Sequence, residues 1–398
     1  MRAWHTHTSL RSRFVPLRFL RRSLATRARR HEYEHERVDV RCGSSGHVTV
    51  DLFNLSSHSA DTSLVVHLPA LPSSHATGHP QLPEALLRNW PVASINYRWD
   101  ELSDLESSPQ QGTWPAPVHD TAFAYAWITA NLGPPPPARR NMYVYGSFLG
   151  ASLAMSLALT ESTSHAPFGV RGVATYNGVY NWTMFLPDHP VHKRKKATIK
   201  DALAARPLAE GARLEELSDA IPLLFREPSN LFDAFASPSL FFHNPGLHVP
   251  SSFDANSSPL SDVVSLMTGQ DTEQTLEAPL KPPRKSHLVF PPRISTLKIP
   301  ETLLLYDKYH GPPQKGRRSS KRRGHTYATQ AAELAELMRR SIDKVELKER
   351  SKWDDETDSW DGEARRRVQV EEVDEETDGF HPGKEAQERL MEWLEERA

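Results

Sequence analysis

A strand that turns at once into a helix constrains this chain more than any other sequence feature. Residues 142–154 read MYVYGSFLGASLA, so a short apolar run meets Gly146 and Gly150 and then a run of small residues. Glycines at these two places allow a tight backbone turn and a close approach of the helix to neighbouring strands. Phe148 lies midway between them. The sequence therefore predicts a sharp strand-to-helix turn with an aromatic residue at its apex.

The residues around this turn predict an α/β fold. Residues 36–41 and 47–53 alternate apolar and polar side chains, as the strands of a half-buried hairpin do. Downstream, apolar strand-like runs alternate with helical patterns, and this alternation predicts parallel strands joined by helical crossovers. These stretches are the runs at 63–68, 92–97 and 170–177 and the helix over 117–131, whose inward face we expect to carry Ala122, Ala126, Trp127 and Ala130.

The pattern breaks after Trp182. Residues 183–298 are rich in proline and serine, which favours a cap-like helical insertion and a linker that is disordered around 256–288. The α/β pattern resumes in 299–398, with strands at 299–306, 344–348 and 367–373 and helices at 327–342 and 384–397. We therefore expect core residues 32–182 and 299–398 on either side of the insertion.

The first 31 residues are set apart by their charge. They contain nine arginines and no acidic residue, and serines lie among them. This composition is typical of a mitochondrial transit peptide, while a disordered basic tail on a cytoplasmic protein is the alternative. We expect residues 1–31 to take no part in the fold.

Composition narrows the class of protein. The formal net charge is −2, and the basic run at 315–323 lacks interleaved aromatic residues, so no nucleic-acid partner is expected. Cys42 is the only cysteine, which leaves no disulfide framework. No apolar run approaches the roughly 20 residues of a membrane span. No phosphate-binding loop and no metal-ligand spacing is present, so neither a cofactor nor a metal is expected.

Several blocks together resemble the α/β-hydrolase fold, and within it the capped esterase/lipase group (α/β-hydrolase fold-3-like). They follow the family's order: VVHLPA at 65–70, INYRW at 95–99, WPAPVHDTAFAYAWI at 114–128, VYGSFLGASLA at 144–154, ETLLLYD at 301–307 and DGFHPGKEA at 378–386. The resemblance implies a mostly parallel sheet flanked by helices, with serine chemistry at the turn.

The resemblance assigns the nucleophile position to Phe148. A benzyl side chain cannot attack a carbonyl carbon, so the nucleophile is lost at this position. Ser147 is the candidate substitute nucleophile, although a shift of one residue along the turn points its side chain elsewhere. Ser152, in the following helix, is expected to be a small packing residue.

The same resemblance places the oxyanion loop at His67, Leu68 and Pro69. Proline has no N–H to donate, and loss of one donor typically lowers turnover by about 10²–10³. The backbone N–H of Leu149 would be the partner donor, and we expect it to remain unused.

The base position falls on His381, which is either a general base or a remnant in a surface loop. Asp307 is a possible acid, although the family's spacing points nearer to His310 or Gly311. Its alternative role is a surface residue at a strand end. Asp378 is expected to begin the turn before the last helix.

Two hypotheses follow. The first is a catalytically degenerate α/β-hydrolase-fold protein that binds an apolar small molecule or a protein in a capped pocket floored by Phe148. The second is an active serine carboxylic-ester hydrolase that uses a non-standard serine with His381 as base.

Overall fold

The computed structural model describes residues 33–72, 82–99, 112–192, 212–253, 282–308, 325–348, 362–374 and 379–398. Several expectations concern residues outside these ranges. They are the transit peptide at 1–31, most of the linker around 256–288, the basic run at 315–323, the alternative acid positions 310 and 311, and Asp378.

Ten strands and seven helices make up the described part of the chain. The strands are β1 His35–Arg41, β2 His47–Phe53, β3 Leu64–Leu68, β4 Val92–Asn96, β5 Arg140–Ser147, β6 Phe168–Tyr176, β7 His243–Asn244, β8 Ser286–His287, β9 Glu301–Asp307 and β10 Val368–Val373. The helices are α1 Glu84–Asn89, α2 Ala116–Asn131, α3 Phe148–Glu161, α4 Ala212–Phe225, α5 Tyr327–Ser341, α6 Glu363–Arg367 and α7 Lys384–Glu395.

Eight of the strands form one sheet in the order β1-β2-β4-β3-β5-β6-β9-β10. β2 runs antiparallel to β1 and β4, and every other neighbouring pair is parallel. This mostly parallel sheet confirms the predicted α/β class. The carboxyl ends of β3, β5, β6 and β9 meet at one edge, where parallel α/β sheets place their ligands.

Apolar side chains cover both faces of the sheet. α2, α3 and α5 contribute to the core on one face, and α1 and α7 to the core on the other. The inward residues of α5 and α7 are those that their helical spacing predicts, with Leu334 and Leu390 among the most buried. Burial on both faces explains why the central strands are continuous apolar runs.

Two local predictions were wrong. α2 turns Ala124, Tyr125 and Ile128 toward the sheet and leaves the expected alanines exposed, while the expected Trp127 is half-buried against the core. Tyr125 and Ile128 bury more apolar surface than alanines in their place would. Residues 344–348 do not form a strand. Ile342–Leu347 continues α5 as a π-helical segment, since no helix breaker separates the two and its lysine and glutamate favour helix.

The segment after β6 contains short 3₁₀ turns and α4 rather than a regular continuation of the sheet. It packs on the core through buried aromatic rings. Trp182 contacts Phe225 of α4 with ring centroids 4.8 Å apart, and Trp99 contacts the same ring at 5.5 Å. The Trp99 indole N–H also donates to the carbonyl oxygen of Leu224 at 3.1 Å. Aromatic side chains therefore fill much of the space between α4 and the sheet edge.

Candidate functional site

The turn between β5 and α3 has the geometry that its glycines predict. Ser147 ends the strand with extended backbone, at φ −128°, and Phe148 begins the helix with φ +48°. A Cβ atom on Gly146 would lie 2.6 Å from the Gly150 carbonyl oxygen, and one on Gly150 would lie 2.2 Å from the Pro69 carbonyl oxygen. Both contacts are too close for any side chain, so the turn depends on the two glycines.

The residue at the apex is held in a conformation that L-amino acids seldom adopt. A left-handed residue costs roughly 1–2 kcal/mol relative to ordinary backbone, and such strain collects at functional turns. A strained strand-to-helix turn on a mostly parallel sheet is the nucleophile elbow of the α/β-hydrolase fold. The described chain therefore has that fold, as its sequence predicts.

The Phe148 side chain is buried, with 4% of its surface exposed. Its ring meets the ring of Phe380 edge to face, with centroids 5.0 Å apart. The Arg213 guanidinium in turn lies 4.4 Å from the centroid of the Phe380 ring. The expected pocket floor is thus part of the packed core, and an aromatic pair occupies the space over the turn.

The oxyanion donor is already in use. The Leu149 N–H donates to the carbonyl oxygen of Ala70 at 3.2 Å, so the expectation of a free donor was wrong. The loop that supplies this carbonyl follows Leu68 at the end of β3, and the Pro69 carbonyl oxygen accepts from the Tyr97 hydroxyl at 2.8 Å. Because Leu149 is bonded within the protein, an oxyanion would have to displace Ala70 to reach it.

His67 lies inside the sheet, where it pairs with Tyr145 one residue before the turn glycine Gly146. Its side chain is fully buried, its Nδ1 lies 2.8 Å from the Ser94 hydroxyl oxygen, and its ring stacks on Tyr145 at 5.7 Å. Its Nε2 finds no hydrogen-bond partner among the described residues. Burial, with a smaller contribution from the charge of His381, lowers the pKa of His67 to about 3. The imidazole is therefore neutral at physiological pH.

Neither serine near the turn is presented to a substrate. Ser147 is 3% exposed and pairs with Tyr176 in the β5–β6 ladder. Ser152 is fully buried, and its hydroxyl donates to the Leu149 carbonyl oxygen at 2.9 Å. Ser152 thus has the packing role that the sequence predicts.

Asp307 lies at the strand end where the sequence places it, and two side chains donate hydrogen bonds to its carboxylate. It is half-buried at the end of β9, where its Oδ1 accepts from the Tyr176 hydroxyl at 2.6 Å and its Oδ2 from the Asn177 amide at 2.8 Å. The same Asn177 amide donates to the carbonyl oxygen of Gly379 at 3.1 Å. Asn177 therefore joins the possible acid to the loop that carries His381.

His381 is half-buried in that loop, one residue beyond Phe380. The structure thus brings together the loop of the candidate base, the candidate acid and the apex of the turn. The Phe148–Phe380 pair lies between these three elements. A serine mechanism requires a hydroxyl beside the imidazole at this place.

Sequence reasoning missed Asn177 and Phe380. Asn177 has φ +47° at the end of β6, a conformation that asparagine tolerates better than most residues. An asparagine directly after an apolar strand was therefore a usable signal. Phe380 had no signal of its own, because its contact with Phe148 joins residues more than two hundred positions apart.

A second buried polar cluster lies between the turns after β6 and helix α5. Burial lowers the pKa of His189 to about 4 and that of His325 to about 3. Glu333 accepts from the Asn181 amide at 2.6 Å and lies 3.5 Å from His243 Nε2. Across the described residues, no three histidine, cysteine or acidic side chains are placed to hold a metal ion.

Within the described ranges, every helix is too short or too polar to cross a bilayer.

Comparison with known proteins returns structural matches only. No protein-family model matches the chain, and no curated protein matches its sequence. Among solved structures, carboxyl esterase 2 from Tuber melanosporum is 13% identical, with a TM-score of 0.45 over 93% of this chain and 83% of that one. An esterase from Pyrobaculum calidifontis is 13% identical, with a TM-score of 0.46 over 91% and 81%.

A hormone-sensitive lipase from a metagenome library is 15% identical, with a TM-score of 0.46 over 94% of this chain and 89% of that one. At this level of similarity, the assignment of the fold rests on the chain's own sheet and elbow rather than on these matches.

Proposed function

We propose that this chain is an esterase/lipase-like protein whose elbow no longer performs serine catalysis and which acts as a binding module for an apolar small molecule or a protein. One observation carries the proposal. Phe148 occupies the apex of the elbow and is packed against Phe380. No lone pair is available at the position from which acyl transfer begins.

The state of the oxyanion site supports the same conclusion. The Leu149 N–H donates to Ala70, and Pro69 lacks an N–H altogether. Donors that face a developing oxyanion supply a large part of the rate enhancement in acyl transfer. Loss of the nucleophile together with occupation of the hole weighs against a simple variant of an active enzyme.

The alternative is a carboxylic-ester hydrolase with Ser147 as nucleophile and His381 as base. It is favoured by the Asp307–Asn177–Gly379 connection, which holds the histidine loop beside the sheet edge. Against it stands the position of Ser147, which is 3% exposed in an extended strand. A nucleophile there would need a rearrangement of the turn before it could meet a substrate.

The experiment is covalent labelling of the purified chain with a fluorophosphonate probe, together with hydrolysis of p-nitrophenyl butyrate. We expect neither labelling nor turnover above that of the His381→Ala variant, which serves as the matched background. Labelling that is lost in Ser147→Ala and kept in Ser152→Ala would establish the alternative mechanism.

Thermal unfolding with and without decanoate tests the binding half of the proposal. Because a ligand that binds only the folded state raises the melting temperature, a saturable increase identifies an apolar small molecule as the occupant. An unchanged melting temperature would exclude decanoate as a ligand and leave a protein as the proposed binding partner.

A further inference from the structure

An acid-free segment with exposed apolar side chains precedes β9. Residues 282–298 contain four cations (Arg284, Lys285, Arg293 and Lys298) and no acidic residue. Leu288, Val289 and Ile294 in the same segment are 51%, 57% and 99% exposed. Single exposed aliphatic residues are ordinary, but here three lie within seven positions of a segment whose charged residues are all cations.

The backbone of this segment is held by the rest of the fold. Ser286–His287 pairs antiparallel with His243–Asn244, and the Leu288 N–H donates to the Phe242 carbonyl oxygen at 2.8 Å. The Phe290 ring packs on Phe242 at 5.3 Å, and its carbonyl oxygen accepts from the Ser341 hydroxyl. Leu288 and Val289 therefore follow the paired strands β7 and β8, called the hairpin below, and are held beside the neighbouring Phe290, which docks on Phe242.

Further cations lie beside the hairpin. Arg340 at the end of α5 and Lys344 in the following π-helical segment are both exposed. Ser341, directly after Arg340, donates to the Phe290 carbonyl oxygen, so the end of α5 lies against this segment. Burial, together with the charges of Arg340, His243, Lys285 and Lys344, lowers the pKa of His287. Asp343 is the exposed acid on the same turn. We call this surface the basic hairpin face: Leu288, Val289 and Ile294 with Arg284, Lys285, Arg293, Arg340 and Lys344.

The composition of the basic hairpin face indicates which occupant it fits. The cores of protein interfaces are depleted in charged residues and enriched in aromatic ones, whereas the exposed apolar side chains of this face are aliphatic and lie among cations. Aliphatic side chains that project between lysines and arginines instead match a bilayer with anionic lipids, which gains from apolar insertion and from headgroup charge together. Each cation close to such a surface strengthens binding by roughly fivefold.

We propose that the basic hairpin face binds the surface of an anionic lipid bilayer. Leu288, Val289 and Ile294 enter the boundary between headgroups and acyl chains, and the surrounding cations contact the phosphates. The proposal does not depend on the chemistry at Phe148, so it can fail while the proposed function holds, and the reverse is equally true.

The first test places an environment-sensitive nitrobenzoxadiazole label on an Ile294→Cys variant of the full-length chain. The native Cys42 is 1% exposed, so the new thiol is the reactive one. With vesicles of phosphatidylcholine and about 30% phosphatidylserine, we expect a blue shift and increased emission, and no change with phosphatidylcholine alone. The matched control is Phe123→Cys on α2, a 43% exposed position whose label should stay in water.

The second test compares sedimentation of the chain with the same anionic vesicles. Because two cations are removed, Arg284→Gln/Lys285→Gln should weaken binding by roughly twenty-five-fold. Leu288→Ser/Val289→Ser should weaken binding as well, since this double variant lacks two of the apolar groups that enter the bilayer. The matched control, Arg88→Gln/Lys384→Gln, removes two exposed cations from the helices on the other face of the sheet and should bind as the native chain does.

Either of two results overturns the proposal. One is a label at position 294 that remains in water while the chain sediments with anionic vesicles, since binding would then come from other basic stretches. The other is equal binding by the native chain and both hairpin variants, with circular dichroism showing that all are folded.

Discussion

Asn177 and Asp307 bond to each other twice across the carboxyl ends of β6 and β9. The Asn177 amide donates to Asp307 Oδ2 at 2.8 Å, and the Asp307 backbone N–H donates to Asn177 Oδ1 at 2.9 Å. The same asparagine reaches the Gly379 carbonyl oxygen. The framework around the histidine loop is thus held by bonds that do not involve a nucleophile, which explains how the site can keep its shape with Phe148 at its apex.

The backbone strain at Phe148 can be measured with two variants. Phe148→Ala and Phe148→Gly both lose the ring, at a cost of about 3–5 kcal/mol, but only glycine adopts φ +48° without strain. We expect Phe148→Gly to be the more stable by about 1 kcal/mol in urea unfolding. The usual order, with alanine the more stable, would show that this turn stores no strain.

The close approach of the β3 loop to the elbow predicts the effect of a single methyl group. In Gly150→Ala the new Cβ would lie 2.2 Å from the Pro69 carbonyl oxygen, so the backbone must move and we expect a loss of about 3 kcal/mol. Gly43→Ala is the control: its methyl group meets nothing within 4 Å, so at φ +57° it should cost only the roughly 1–2 kcal/mol of left-handed backbone strain. Equal losses in urea unfolding would mean that the contact at Gly150 is not tight.

Buried histidines predict a loss of stability in acid. The pKa of His67 is lowered to about 3 in the folded chain, whereas the unfolded chain has the ordinary value near 6.5. Below about pH 6.5 the unfolded state binds the extra proton, so stability is complete above that pH and falls as pH decreases toward the folded pKa. His67 contributes up to about 1.4 kcal/mol per pH unit to this slope.

His67→Gln removes this titration, so its free energy of unfolding should fall less steeply between about pH 6 and pH 4. Urea unfolding at several pH values measures the slope. The control is His47→Gln at an exposed position in the β1–β2 hairpin, which should retain the native slope. A His67→Gln slope equal to that of the native chain would contradict the burial argument.

The basic leader also makes a testable prediction. Residues 1–31 carry nine arginines and no acid, and we propose that they direct the chain to mitochondria. A fusion of residues 1–40 to a fluorescent reporter should enter mitochondria, and replacement of Arg18, Arg21 and Arg22 by glutamine should reduce import. A reporter that stays cytosolic with the native leader would support the cytoplasmic alternative.

Local sequence patterns were sufficient to predict an element where one interaction dominates its formation. The apolar runs predicted the central strands, and Gly146 and Gly150 predicted the elbow, because the backbone there tolerates no side chain. The pattern failed in part at α2, where three alanines of the predicted inward face are exposed, Trp127 is half-buried, and Tyr125 and Ile128 are buried instead. It failed again at 344–348, where alternating charged and apolar residues resembled a strand. The preceding helix continues there instead.

The sequence alone determined the α/β class, the sharp turn and the absence of a serine at its apex, since each depends on residues close together in the chain. Only the tertiary structure decided that the Leu149 N–H is used by Ala70, that Phe148 packs on Phe380, and that Asn177 links Asp307 to the histidine loop. These contacts join distant segments, and their partners are selected by how the sheet brings strand ends together rather than by local residue preference.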